Sequence, residues 1–104
     1  MKIEERNEDG VIILLVSGKM IGGAEDVRLR QTVELHLAAG HIEIIVDLAD
    51  LTFIDSAGLG EIVQCRTLVS EKNGVLKLRN LPKRVYDRLS IARLESLFEI
   101  TDES

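Results

Sequence analysis

The sequence predicts an α/β fold, and three observations carry that expectation. Runs rich in branched apolar residues alternate along the chain with segments of helical spacing. One buried run, Ile42 to Leu48, hands over to a helical segment through a short stretch containing Ser56, Ala57 and Gly58. Neither internal repeats nor low-complexity linkers interrupt the alternation. Strands separated by helices run parallel to their neighbours and are covered by those helices.

Each element has its own signal. Ile3 to Glu8 reads as a polar edge strand, and Asp9-Gly10 as the dipeptide of a hairpin turn. Val11 to Ser17 is almost wholly apolar and branched, as in a strand covered on both faces, and stops at Gly18. Lys19 to Gly23 then reads as a loop, with an apolar pair at Met20-Ile21. Ala24 to Ala39 is a helix with Val27, Leu29, Val33 and Leu37 inward and Gly40 as its stop. Leu35 falls off that stripe, as a half-exposed flank or a contact for something outside the domain.

Ile42 to Leu48 is a buried strand, and Thr52 to Asp55 a turn. A helix follows from about Ser56 to Lys72, with Leu59, Ile62, Val63, Leu68 and Val69 at helical spacing. Asn73-Gly74 ends it and opens strand Val75 to Arg79. Pro82 suits the first turn of a helix over Lys83 to Leu89. A short helix around Ala92 to Leu97 and a strand from Phe98 to Thr101 complete the reading.

Composition narrows the function. A chain of 104 residues makes one domain with a core that needs no metal or disulfide. With aromatics at 3%, that core rests on Leu, Ile and Val, and a stacking surface for single-stranded nucleic acid is missing. A net charge of −5 disfavours phosphate backbones and anionic lipid. One cysteine, Cys65, excludes an internal disulfide and fits a reducing compartment. No apolar run approaches the ~18 residues of a membrane span, and Met1 to Arg6 lacks the apolar core of a signal peptide. The expectation is a cytoplasmic protein with no membrane span and no direct nucleic-acid partner.

Ser56 is the centre of interest. Two readings stand side by side: an N-cap whose oxygen accepts a backbone N–H, or a modified or reactive hydroxyl at a helix start. Leu59, three residues on, gives no capping box. A hydrolytic nucleophile needs a base and a group to orient it. The histidines are His36 and His41, and Ile54 breaks the Gly-x-Ser-x-Gly pattern. Asp55 has no second carboxylate at a helpful spacing, and Asp47 and Asp50 read as strand-end and turn residues. Cys65, two histidines and scattered acids match no metal-ligand spacing. The glycines at 18–23 and 58–60 do not form phosphate-cradling loops. Lys77, Arg79, Lys83, Arg84, Arg88 and Arg93 make a solvated edge or face an acidic partner.

Three segments resemble the STAS domain family, whose stand-alone bacterial members are the anti-sigma-factor antagonists. They are Ile44-Ile45-Val46-Asp47-Leu48, Phe53-Ile54-Asp55-Ser56-Ala57-Gly58-Leu59-Gly60, and Asn73-Gly74-Val75-Leu76-Lys77-Leu78. Leu89-Ser90-Ile91 and Leu97-Phe98 resemble the family's last helix and strand, so the likeness spans nearly the whole chain. It implies a mixed, mostly parallel sheet of four to five strands with flanking helices. It also implies a binding protein, without catalysis or cofactor, switched at Ser56. The implied partners are an anti-sigma factor that is also a serine kinase, and a serine phosphatase that restores binding. The docking face implied around Ser56 comprises Met20, Ile21, Gly22, Thr52, Asp55, Ala57, Gly58, Glu61 and Gln64. Many family members place an acidic residue after the second strand in a Gly-x-Leu-Asp pattern. Here Gly18-Lys19-Met20-Ile21 has no carboxylate before Glu25. The alternative within the family is an unphosphorylated adaptor or scaffold subunit, in a stressosome or lipid-transport complex.

Overall fold

The computed structural model describes residues 1–102, so the last two positions of the expected 1–104 domain lie outside the described residues. Strand β1 (Lys2–Glu8) and strand β2 (Val11–Met20) form an antiparallel hairpin in the register Lys2↔Ser17 to Glu8↔Val11. Its turn places Asp9 at φ 55° and Gly10 at φ 89°, the positive values a two-residue hairpin demands. The charged outward residues of β1 keep that sheet edge from pairing with other chains.

Helix α1 (Ala24–Ala38) leads to strand β3 (Glu43–Asp47), which lies parallel to β2. Strand β4 (Leu51–Ile54) runs into helix α2 (Ser56–Glu71), and strand β5 (Val75–Arg79) returns beside β3. Helix α3 (Lys83–Ile91), a single 3₁₀ turn (Glu95–Leu97) and strand β6 (Glu99–Thr101) end the described chain. The order across the sheet is β1-β2-β3-β5-β6, with β4 paired to the far end of β2.

Register explains the core. Ile12, Ile44 and Leu76 stand side by side across three strands, as do Leu14, Val46 and Leu78. All six are buried beneath Leu29, Val33 and Leu37 of α1 and Leu59, Ile62, Cys65 and Val69 of α2. The helix residues recur every three or four positions, which is the spacing that puts them on one face. Val85 and Leu89 of α3 join the same cluster.

Five details depart from the sequence reading. The sheet has six strands rather than four to five. Thr52 to Ile54 is strand, not turn, because β4 completes its backbone bonding along β2. Likewise β2 does not stop at Gly18: a register shift between Gly18 and Lys19 bends it, and it continues to Met20. Gly18 holds φ 89°, and that freedom lets the bulge form. The helix expected over Ala92 to Leu97 shrinks to the 3₁₀ turn, since Arg93 at φ 58° breaks the helical path. Val27, expected inside, is only half-buried.

Candidate functional site

The site is built where the end of β2 meets the start of α2. Asp55 donates its N–H to the Met20 carbonyl at 3.0 Å, which ties the residue before the helix to the last residue of β2. The Asp55 carboxylate then accepts the Gly58 N–H at 2.9 Å. Asp55, in extended geometry at φ −106°, is therefore the N-cap. This sets aside the capping reading of Ser56. Ser56 is the first helical residue, exposed, and among the described residues its hydroxyl has no hydrogen-bond partner.

Two glycines bring the surrounding segments within touching distance. A Cβ on Gly22 would lie 2.8 Å from the Ala57 methyl group, so the 21–23 loop lies directly against the first turn of α2. A Cβ on Gly58 would lie 2.5 Å from the Met20 carbonyl oxygen, so the helix approaches β2 at backbone distance. Ile21, the residue before Gly22 in that loop, is 56% exposed and is an apolar surface residue.

The residues expected on the docking face divide. Ile21, Thr52, Ser56, Ala57 and Gln64 are exposed, while Gly22, Asp55 and Glu61 are half-buried. Met20 and Gly58 are buried and offer no side chain to a partner, which corrects their expected part in a contact surface. Met20 turns inward because the strand alternation that exposes Lys19 and Ile21 directs it into the core. Glu61 is also committed: its carboxylate faces the Arg30 guanidinium of α1 at 3.4 Å. Thr52 anchors the bulge by donating its hydroxyl to the Gly18 carbonyl at 2.9 Å.

Charges near the site are mostly spoken for. The Glu25 carboxylate meets the Met1 ammonium at 3.0 Å, and that hydrogen bond holds it below the usual carboxylate range. Asp47, only 5% exposed, accepts from Arg79 at 2.9 Å, Asn80 at 3.1 Å and the Ala49 N–H at 2.9 Å. It locks the ends of β3 and β5 together, as its strand-end position suggests. Burial pushes the Cys65 thiol up to about 12.

No histidine is available to activate Ser56. His36 sits late in α1, roughly 18 Å along the axis from the helix start that adjoins the 21–23 loop. It bonds Glu5 of β1 at 2.7 Å, with the His41 ring 6.0 Å away. Among the described residues no group of three or more His, Cys, Asp or Glu is placed to hold a metal ion. No helix among the described residues is long and apolar enough to cross a membrane.

The mixed six-stranded sheet, with an exposed serine at the start of α2, makes this a domain of the α/β class. The STAS domain model matches residues 2–104, and the chain belongs to that family. An anti-sigma F factor antagonist of Paenibacillus polymyxa is 28% identical over 102 residues, covering 98% of this chain and 87% of that protein. Among solved structures, a candidate anti-sigma factor antagonist from Thermotoga maritima superposes with a TM-score of 0.85 at 27% identity, covering 97% of this chain and 86% of that one. Bacillus SpoIIAA in its phosphorylated form shares the fold, with a TM-score of 0.78 at 15% identity and coverage of 99% and 92%.

The sequence reading missed the division of labour between Asp55 and Ser56. One signal was present: the residue three after Asp55 is Gly58, which alone lets the helix start press against β2.

Proposed function

We propose that this protein is an anti-sigma-factor antagonist: it binds an anti-sigma factor that is also a serine kinase, and phosphorylation of Ser56 switches the binding off. It acts as a binding protein in the cytoplasm, without catalysis of its own, and a serine phosphatase resets it. The observation that carries this reading is the exposed Ser56 hydroxyl at the first position of α2, uncommitted because Asp55 does the capping. The family match and the antagonist relative in Paenibacillus polymyxa support the same role.

The physics of the mark fits. A phosphate adds about −1.5 to −2 charges and three acceptor oxygens. At a helix N-terminus the fold tolerates it, because the peptide dipoles and free N–H groups there favour negative charge. Packed against a partner it is bulky, needs desolvation and repels carboxylates. A loss of ~3 kcal/mol weakens association roughly a hundredfold. The contact area comes from Ile21, Gly22, Ala57, Gln64 and Thr52, with Asp55 at its rim.

The test is binding of the cognate anti-sigma factor kinase, measured by calorimetry against wild type, Ser56→Ala and Ser56→Asp. The reading expects Ser56→Ala to bind and Ser56→Asp to lose most of its affinity. Equal affinity for all three would favour the unmodified adaptor or scaffold role. One observation points that way, the absence of any carboxylate between Gly18 and Ala24 beside the serine.

A further inference from the structure

A second surface lies between β4 and α3. Phe53 and Ile54 of β4 and Arg84 and Arg88 of α3 line a groove of about 270 Å³. The Arg88 guanidinium lies over the Phe53 ring, 5.2 Å from its centre. Arg84 donates one N–H to the Thr52 carbonyl at 3.2 Å, which fixes the side chain across the strand edge. A guanidinium has five such donors, so this bond uses one and leaves hydrogen-bonding capacity on the exposed side chain.

The neighbouring cations are neutralised internally. Lys77 faces Glu99, Arg79 faces Asp47, and Lys83 faces Asp87. Arg84 and Arg88 have no carboxylate within ion-pair distance among the described residues, in a chain whose net charge is −5. Such a concentration of unpaired positive charge against an aromatic floor calls for an occupant of opposite charge.

We propose that this groove docks an acidic segment of a partner protein, whose carboxylates engage Arg84 and Arg88 while an apolar side chain rests on Phe53. Two arguments select a peptide segment. Arg84 and Arg88 are one helical turn apart, about 6 Å, close to the ~7 Å between alternate side chains of an extended chain. The half-buried Phe53 is an apolar surface that a small inorganic anion does not use. This inference does not depend on whether Ser56 is phosphorylated.

The experiment titrates the isotope-labelled full chain with the peptide acetyl-Glu-Leu-Glu-Phe-Glu-Leu-amide, followed by NMR. Its twin with Gln in place of every Glu is run in parallel, as is inorganic phosphate. The expected result is a set of amide shifts at Phe53, Ile54 and the 84–88 turn of α3, with the Gln twin about tenfold weaker or worse. Arg84→Gln with Arg88→Gln abolishes the shifts, whereas the paired Lys variants, which keep the charge and check the fold, retain them. Equal binding of the Gln twin, shifts confined to other residues, or phosphate binding as tightly as the peptide at the same residues would overturn the proposal.

Discussion

The Met20 carbonyl oxygen and Gly58 meet so closely that a Cβ on the glycine would come within 2.5 Å of it. The same carbonyl accepts the Asp55 N–H, so the first turn of α2 is fastened to β2 on two sides of Ser56. The serine is exposed, yet the backbone beneath it is rigidly placed. On the proposed function, a partner meets a prearranged surface and binding costs little ordering of the chain.

Gly58→Ala tests that fastening. The added methyl meets a backbone oxygen and the Met20 Cβ, neither of which is the far end of a flexible side chain. A loss of about 2–3 kcal/mol is expected in urea unfolding, as overpacking without an escape route produces. Gly60→Ala is the control, because a Cβ there meets open space, and it should leave stability unchanged or slightly raised.

Asp55 and Ser56 should separate cleanly by mutation. Asp55→Ala removes the cap and costs about 1 kcal/mol, while Asp55→Asn stays near wild type. Ser56→Ala changes stability by less than about 0.5 kcal/mol, the usual limit for an exposed side chain without partners. Thermal unfolding of the three variants beside the wild type checks both statements.

Cys65 gives a pH prediction. Its thiol is buried and pushed up to about 12, against about 8.5 in an unfolded chain. Above about pH 8.5 the unfolded state therefore gains thiolate before the folded state does. The stabilisation is full below that pH and is lost as pH rises toward about 12. Cys65→Ala should show a flatter alkaline limb in urea titrations, though it starts lower for loss of packing. In the native wild type a thiol reagent at pH 8 should react only as fast as the chain opens.

Asp47 predicts the largest loss. It is buried, and three donors converge on it from Arg79, Asn80 and Ala49. Asp47→Ala removes the buried acceptor on which the Arg79, Asn80 and Ala49 donors converge and should cost about 3 kcal/mol. Urea denaturation reads this directly, and Asp50→Ala, at an exposed turn position, is the matched control.

Long periodic segments were readable from sequence: α2 begins at Ser56 as expected, and β5 occupies Val75–Arg79 as expected. Their signals are local, either helical spacing or a run of branched residues between turn formers. β4 was not readable, because four residues carry too little period and its pairing with β2 depends on the bulge at Gly18. The inward turn of Met20 has the same cause. An apolar residue after a glycine looks like loop until the strand is known to continue. The capping assignment escaped for another reason. Asp and Ser are equally good caps, so a one-residue choice between Asp55 and Ser56 rests on tertiary contact with Met20. The groove of Phe53, Arg84 and Arg88 joins residues far apart in the chain, and only the fold assembles it.

The most direct measurement treats the purified protein with its kinase and ATP, then follows mass, binding and thermal midpoint together. The account expects one phosphate, on Ser56, with the complex lost and the midpoint essentially unmoved. A phosphate elsewhere, none at all, or a Ser56-phosphorylated protein that binds the kinase as tightly as before would contradict it.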